Sequence, residues 1–357
     1  MEDLAGMRNF YRGRHVLVTG HTGFKGTWLC HTLKLLGAEV WGFSLPPVWE
    51  SMYRCCPPEV HSVYGDLRGA ELWRTVGRAR PEVVFHLAAQ PLVQAGYERP
   101  LETYEVNALG TARLLEALRQ TGGAPSVVVV TTDKVYSQTA GRCGEEDRLD
   151  GFDPYSSSKS CAELISACYR RCFLAGQGTA LSCVRAGNVI GGGDFGRYRI
   201  LPDCIRAAMA GEPVRLRHPQ GIRPYQFVLE PISAYLLLGW RQWEEPTLAD
   251  SYNVAPKEEE EVTNQELAEL FCRHWGPGAT WETMEERNFG PEREILRLDG
   301  GKIAQRLGWR PLWGTERAVA QTVRWAKCME SGGDLRRETL AQIHTYFQER
   351  EERHDGA

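Results

Sequence analysis

Short apolar runs alternate with longer amphipathic segments through the first half of the chain. The runs have the length and composition of buried strands, and they lie at 15–20, 38–44, 61–66, 81–89, 127–130 and 179–187. Between them, helical periodicity marks residues 24–37, 100–120 and 155–175. This alternation predicts an α/β fold, a doubly wound parallel Rossmann sheet with helices on both faces.

The regular alternation of strands and helices ends at about residue 190, and beyond it shorter elements are separated by Gly and Pro residues. We expect a first domain over 1–187 and a smaller C-terminal α/β lobe over 188–357 that binds the substrate, with some of its segments returning to the first domain. Later helices are predicted at 263–275 and 314–329. The acidic run 257–261 is expected to be an exposed loop or solvated face, and the tail is expected to fray.

The composition is that of an ordinary globular protein: 357 residues, 42% hydrophobic and 25% charged, with a net charge of −4. This charge favours neither nucleic acid nor an anionic membrane as a partner. The N-terminus lacks the apolar core of a signal peptide, and no apolar run approaches the roughly 20 residues that span a bilayer. We therefore expect a cytoplasmic protein.

Eleven cysteines are scattered along the chain without any C-x-x-C pair. Metal sites use paired ligands at short spacing, so no metal site is predicted. Cys161, Cys168 and Cys172 lie at helical spacing and are expected to pack as small apolar side chains. Free thiols fit a reducing compartment.

Three glycines, Gly20, Gly23 and Gly26, follow the first strand and open the first helix. The first permits a tight turn, the second lets a pyrophosphate approach the backbone, and the third lets the helix pack on the strand. The pattern predicts a dinucleotide-binding turn, with a ligand-free Gly-rich turn as the alternative. Lys25 lies inside this turn, where it could attract the pyrophosphate or point to solvent.

Two pairs of reactive residues follow the fifth strand. In "VVVVTTDKVYS", Asp133 and Lys134 stand side by side where a core strand reaches the surface. In "DPYSSSK", Tyr155 and Lys159 lie four residues apart and so on one helix face. A Tyr and a Lys at this spacing often occur in a helix by chance. Here the pair follows "TTDK" in a chain whose glycines are spaced by three residues, and this combination resembles the short-chain dehydrogenase/reductase family.

That resemblance implies a mechanism and a cofactor. Lys159 would stabilise the phenolate of Tyr155, which takes a hydroxyl proton from the substrate, and Thr132 would hydrogen-bond the same substrate oxygen. The implied cofactor is NAD. The implied cofactor-binding residues are Gly20, Gly23, Phe24, Lys25, Gly26, Ser44, Asp66, Leu67, Ala88, Ala89, Tyr155 and Lys159.

The second strand does not decide the cofactor. An acid at its end normally holds the adenosine ribose, but Ser44 stands there instead, and no Arg is present for a 2′-phosphate. The choice of NAD therefore rests on the resemblance. Asp66 resembles the family residue that bonds adenine, and a turn-capping role is the alternative.

Alcohol oxidation alone requires neither Asp133 nor Lys134. Nucleotide-sugar 4,6-dehydratases of the same family carry Thr-Asp-Glu here, and "TDK" resembles the CDP-glucose branch. The resemblance implies that Asp133 protonates the departing C6 hydroxyl while Lys134 removes the C5 proton. A Lys can act as a base only if its pKa is depressed, and Asp133 opposes that change.

Segments such as "GHTGFKGTWL", "VRAGNVIGGGDF" and "IRPYQFVLEP" extend the resemblance over most of the chain. It departs at Tyr225 and Phe227, where the family usually has Trp and His, and this puts fine substrate contacts in doubt. The implied substrate-binding residues are Gln90, Asn188, Arg217 and Arg223, the arginines as partners of a diphosphate or, alternatively, as surface residues.

Three other functions remain open: a C4 epimerase, a dehydratase acting on another nucleotide hexose, and a regulator that binds NAD without chemistry. A homodimer or a dimer of dimers is expected, because the helices at 100–120 and 155–175 pair across a two-fold axis in the family. Burial of the same helix faces in an internal core is the alternative.

Overall fold

The computed structural model describes residues 4–122, 125–137, 141–284 and 295–355. Its centre is a seven-stranded sheet in the order β11-β6-β5-β4-β1-β2-β3, in which every neighbouring pair is parallel. The strands are β1 His15–Thr19, β2 Glu39–Ser44, β3 His61–Tyr64, β4 Val83–His86, β5 Ser126–Val130, β6 Ala180–Ala186 and β11 Ser251–Val254. The predicted doubly wound Rossmann sheet is confirmed.

Helices cover both faces of this sheet. They are α1 Leu4–Tyr11, α2 Phe24–Leu35, α3 Met52–Cys55, α4 Glu71–Ala79, α5 Val93–Glu98, α6 Pro100–Tyr104, α7 Gly110–Thr121, α8 Pro154–Tyr169, α9 Ile200–Ala210, α10 Leu229–Glu244, α11 Asn264–Trp275, α12 Gly301–Leu307, α13 Thr315–Glu330 and α14 Leu335–Asp355. The predicted helix 100–120 is interrupted by a π-helical turn at Glu105–Leu109, and a second π-helical turn, Arg170–Leu174, follows α8.

Six short strands in three pairs lie outside the main sheet. They are β7 Val189–Ile190, β8 Val214–Leu216, β9 Ile222–Arg223, β10 Gln226–Phe227, β12 Val262–Thr263 and β13 Trp281–Thr283. The pairs are β7 with β10, β8 with β13, and β9 with β12. They frame the region beyond the carboxyl ends of the main strands.

Two segments from beyond residue 187 return to the main sheet. Strand β11 pairs with β6, and helix α10 packs against β5 and β6. Twelve residues of α10 are buried, including Leu236 to Leu238, so this helix lies within the core on nearly every side. The predicted division into 1–187 and 188–357 stays a prediction.

The C-terminal tail does not fray as expected. It is helical to Asp355, and its Tyr346 is fully buried. The cause is the buried carboxylate of Glu230 in α10, which accepts hydrogen bonds from the backbone of Trp313 (2.7 Å) and from the Tyr346 hydroxyl (2.9 Å). Arg350 lies 3.5 Å from the same carboxylate and anchors the last turns of the helix.

One further expectation is wrong, and another is wrong in part. Cys168 and Cys172 are exposed, with their sulfurs 4.0 Å apart, instead of packed in a core. In the acidic run, Glu258 and Glu259 are exposed as expected, but Glu261 is largely buried and pairs with Arg142 at 2.9 Å and with Arg297 at 2.8 Å. Helical spacing and charge alone did not show which side of each segment the rest of the chain would cover.

Candidate active site

A cleft of about 630 Å³ opens beyond the carboxyl ends of β1, β4 and β5. This is where the strand order reverses, the position at which doubly wound sheets bind ligands. The cleft brings together many of the predicted residues: Phe24, Lys25, Thr132, Asp133, Lys134, Tyr155, Asn188, Arg217 and Arg223. Lys159 lies buried behind this wall.

The glycine turn has the geometry that a dinucleotide requires. Gly20 adopts φ +78°, and a Cβ there would lie 2.7 Å from the backbone nitrogen of Ala88. At Gly26 a Cβ would lie 2.1 Å from the carbonyl oxygen of Gly20. Gly23 is exposed at the start of α2, so the unpaired N–H groups of that helix remain accessible to phosphates. These residues fit NAD.

The end of β2 presents hydroxyl groups where an acid is usual. The Ser44 hydroxyl lies 2.8 Å from that of Thr22. His21, also in the glycine turn, is buried against Gly42, where a Cβ would come within 2.3 Å of the imidazole. Burial lowers the pKa of His21 to about 4, so it is neutral. The carboxyl end of β2 therefore has no charged side chain that could bind the adenosine ribose or a 2′-phosphate.

The other predicted cofactor residues have internal partners. Asp66 accepts hydrogen bonds from Arg68 at both carboxylate oxygens (2.7 and 3.0 Å), which lowers its pKa and caps the turn. Leu67 is buried, while Ala88 and Ala89 follow β4 half-buried. The adenine-binding role of Asp66 stays a prediction beside the turn-capping role.

Gln90, predicted to bind substrate, is engaged in its own loop. Its side-chain carbonyl accepts a hydrogen bond from the backbone of Leu92 (2.6 Å), and its amide nitrogen donates to Thr103 (3.0 Å). Asn107, in the π-helical turn, bonds the Gln90 backbone and also donates to Ser158 on α8. Gln90 thus joins the cleft wall to α8, and its contact with substrate stays a prediction.

The predicted catalytic residues come from the end of β5 and the start of α8. Thr132 caps a short 3₁₀ turn, Asp133–Val135, and its hydroxyl lies 2.9 Å from the Asp133 carboxylate. Asp153 caps α8, and Pro154 occupies its first turn, which sets Tyr155 at the cleft. Thr132, Asp133 and Tyr155 all line the cleft, so the residues from both segments meet at one point.

The pKa of Tyr155 is raised, whereas the family resemblance implies that Lys159 stabilises the Tyr155 phenolate. Burial raises the pKa of Tyr155 to about 12, and the neighbouring Asp133 acts in the same direction, against the Thr132 hydrogen bond. Burial lowers the pKa of Lys159 to about 8, and its ammonium donates to the Val130 carbonyl at 3.2 Å. Lys159 therefore anchors α8 to β5, while the phenol is protonated at neutral pH.

Beneath these residues lies a buried ion pair. Arg185 on β6 donates to both oxygens of Glu163 on α8, at 2.8 and 2.5 Å, and the side chains are only 3% and 2% exposed. Glu163 also accepts a hydrogen bond from Thr131 (2.6 Å), and Arg185 donates to Tyr136, which donates to Asn253 on β11. The network joins the catalytic helix to three parts of the chain.

Replacement of Arg185 by Met is expected to lower the free energy of unfolding by about 3–5 kcal/mol, because it leaves the Glu163 carboxylate buried without its charge partner. Urea unfolding followed by circular dichroism measures this. The control is Arg215→Met, which removes an exposed pair with Glu282 and should change stability little. An equal loss in the two variants would contradict a special role for burial.

At the far end of the cleft, aromatic and basic side chains are combined. The Arg217 guanidinium lies 5.4 Å from the ring centre of Tyr198 and 3.5 Å from Asp203, while Arg223 is buried at the wall. The Tyr225 hydroxyl donates to Asn264 at 2.5 Å. These side chains form a polar wall, and its guanidinium groups suit an anionic ligand.

Phe227, the second departure from the family pattern, lies in the core. Its ring packs against Trp28 and Trp313, and it is fully buried. It does not line the cleft within the described residues. The doubt about a lost substrate contact at this position therefore does not arise.

Sequence reasoning missed Asp194, Tyr198 and Arg199, all of which line the cleft. Arg199 donates to both oxygens of Asp194 (3.1 and 3.0 Å). Tyr198 adopts φ +62°, an uncommon conformation for a residue other than glycine. The signal was present in "GGGDFGRYR", where an acid, two aromatic residues and two arginines follow a glycine run.

The sheet, the glycine turn and the Thr–Tyr–Lys set together define a Rossmann-fold enzyme of the short-chain dehydrogenase/reductase class. Within it, the chain belongs to the NAD dependent epimerase/dehydratase family, whose sequence model matches residues 16–255. It is 39% identical to the CDP-glucose 4,6-dehydratase of Salmonella typhimurium over 92% of this chain and 94% of that protein.

Solved structures agree with the fold. A dTDP-glucose 4,6-dehydratase from Streptomyces venezuelae with NAD bound has a TM-score of 0.73 and 25% identity, covering 89% of this chain and 98% of that one. An epimerase from Methanothermobacter thermautotrophicus has a TM-score of 0.80 and 24% identity, covering 92% and 96%.

Two properties of the described residues concern membranes and metals. None of the helices there has both the length and the apolar character to cross a bilayer. No three His, Cys, Asp or Glu side chains in the same ranges are grouped so that they could hold a metal ion.

Proposed function

We propose that this chain is an NAD-dependent CDP-glucose 4,6-dehydratase that releases water and forms CDP-4-keto-6-deoxyglucose. The observation that carries the proposal is the meeting of Asp133 and Lys134 with Tyr155 in one cleft. An oxidoreductase or an epimerase does not need that acid and base. The likeness to the Salmonella enzyme supports the choice of CDP-glucose.

The first step is removal of a proton from the C4 hydroxyl of the sugar. The phenolate form of Tyr155, whose fraction grows with pH, takes this proton, and Thr132 holds the same oxygen through a hydrogen bond. NAD held at the glycine turn would supply the acceptor for the C4 hydride and the donor that restores this hydride at C6. Lys159 holds α8 against β5 by its bond to Val130, so the phenol keeps its position through the cycle.

The second step is loss of water, which the new C4 ketone makes possible by acidifying the C5 proton. Lys134 removes that proton, the electron pair forms the C5–C6 double bond, and the C6–oxygen bond breaks. Asp133 gives its proton to the departing hydroxyl, which leaves as water. Asp133 is only 2% exposed, which keeps bulk water away from this transfer.

The remaining assignments concern the nucleotide and the assembly. Asn188, Arg217 and Arg223 are proposed to hold the diphosphate at the polar wall. A homodimer or a dimer of dimers is proposed because large apolar residues are exposed on the π-helical turns and on α6 and α8: Leu101, Leu109, Leu164 and Phe173. A cytoplasmic location is proposed because a reducing compartment suits eleven free cysteines.

Incubation of the purified protein with NAD and a panel of CDP-, UDP-, dTDP- and GDP-hexoses tests the proposal. We expect the alkali-induced absorbance of a 4-keto sugar with CDP-glucose, and mass spectrometry should show loss of water. A C4-epimerised product that keeps its C6 hydroxyl would identify an epimerase. Faster turnover of a hexose linked to another nucleotide would show that the enzyme prefers a nucleotide base other than cytosine.

Replacement of Gly26 by Ala is expected to weaken NAD binding at least about tenfold, a change of 1.4 kcal/mol. The new Cβ would displace the Gly20 carbonyl and with it the turn that receives the pyrophosphate. Equilibrium titration of NAD measures the effect. Gly77→Ala is the control, since nothing lies within 4 Å of a Cβ there. Unchanged affinity in Gly26→Ala would contradict this role for the turn.

A further inference from the structure

Lys25 reaches the catalytic cleft from the glycine turn. It lies in the first turn of α2, beyond the end of β1, and β4 separates β1 from β5 in the sheet. Neighbouring strands lie about 4.8 Å apart, so a long side chain at the end of β1 can approach the end of β5. Lys25 does line the same cleft as Asp133 and Tyr155, and it is half-buried.

Charged groups of both signs surround Lys25. Two cations, Lys159 and Arg199, and two acidic side chains, Asp133 and Asp194, lie close enough to affect its pKa. Arg199 is already paired with both oxygens of Asp194, whereas no acceptor lies within hydrogen-bond reach of the Lys25 ammonium among the described residues. Burial and the two cations lower the pKa of Lys25 to about 7. Lys134 and Asp153 also line this cleft.

Water loss creates a charge that this ammonium can stabilise. When Asp133 gives its proton to the departing C6 hydroxyl, it becomes a carboxylate at a site that water barely reaches. A carboxylate formed in such a place is costly unless a positive charge lies nearby, and a charge that is fixed in advance stabilises the transition state most.

We propose that Lys25 is a positioning residue for the elimination step, where its ammonium stabilises the Asp133 carboxylate as the C6 hydroxyl departs. This inference rests on the proposed dehydratase function. It assigns Lys25 to the substrate side of the turn, while the N–H groups of α2 and the glycines receive the pyrophosphate.

Lys25→Met tests the inference, with Lys25→Arg as the variant that keeps the charge and Lys34→Met, outside the cleft on the same helix, as the control. In Lys25→Met, formation of the 4-keto hexose should continue while water loss slows roughly 10- to 100-fold, since a neighbouring charge changes the acidity of a carboxyl group by factors of this order. Lys25→Arg should recover most of the rate. Rapid quenching, borodeuteride reduction and mass spectrometry separate the two steps.

A substrate with fluorine at C6 shows whether Lys25 acts through Asp133. Fluoride departs with far less need of a proton, so Lys25→Met and Asp133→Asn should both approach the wild-type rate with CDP-6-deoxy-6-fluoroglucose. The wild-type rate of water loss should fall as the pH rises through about 7, and in Lys25→Arg that fall should move to higher pH.

Several outcomes would overturn the inference. Weaker NAD binding by Lys25→Met that accounts for its slow turnover would place Lys25 at the pyrophosphate instead. An equal defect with the fluoro substrate, or a wild-type rate of water loss in Lys25→Met, would also refute it. If the wild-type protein itself forms no 4-keto product from CDP-glucose, the proposed function fails first, and that result is distinct from all of these.

Discussion

Replacement of Tyr155 by Phe is expected to slow C4 oxidation of CDP-glucose by about 10²- to 10⁴-fold, the usual contribution of a positioned general base. The ring would keep its place at the start of α8, but the group that accepts the C4 hydroxyl proton would be gone.

The pH dependence distinguishes this loss from simple misfolding. Since the pKa of Tyr155 lies well above neutral, the fraction of phenolate grows with pH, and the wild-type oxidation rate should rise between about pH 6 and pH 8. Tyr155→Phe should lack that rise. Tyr169→Phe, on the same helix but bonded to Glu116, should behave as wild type. A Tyr155→Phe enzyme with full activity would rule out Tyr155 as the base.

Replacement of Asp133 by Asn is expected to leave C4 oxidation largely intact and to slow water loss by about 10²- to 10⁴-fold. The amide keeps the shape of the carboxyl group but cannot give a proton to the C6 hydroxyl. CDP-4-ketoglucose should therefore accumulate. Rapid quenching, borodeuteride reduction and mass spectrometry would detect this ketone before any loss of water.

Comparison of Lys134→Met with Asp133→Asn distinguishes the C5 base from the acid that protonates the C6 hydroxyl during water loss. Asp133→Asn should still exchange the C5 proton of the ketone with deuterium from solvent, because Lys134 remains, while Lys134→Met should not. A C4 epimerase would tolerate both changes and keep forming its epimer. Retention of C5 exchange in Lys134→Met would assign the base to another residue.

The parts of the fold that follow from local chemistry could be predicted. The apolar runs of β1, β5 and β6 are short and lie between turn residues, as buried strands do, and Gly20 and Gly26 stand where any side chain would collide with backbone. Tyr155 and Lys159 were found because a helix turn places them together. Their exact chemistry, including the raised pKa of the phenol, depends on burial by residues distant in sequence.

The parts that depend on distant contacts could not be predicted. Helix α10 is apolar on nearly every side, so it lacks the amphipathic pattern that marks a surface helix. The polar tail resembled a solvated end because its partner, Glu230, lies more than a hundred residues earlier. Likewise the sequence of the glycine turn left the direction of Lys25 open, since only the arrangement of β1, β4 and β5 shows which groups it meets.

The return of β11 and α10 to the main sheet limits how the gene for this enzyme can be rearranged. A fragment ending at residue 187 would present the bare edge of β6 and the uncovered apolar faces of β5 and β6 to solvent. Chimeras that exchange nucleotide specificity between relatives should therefore graft the cleft wall, residues 188–228, and leave the host's own 229–254 in place.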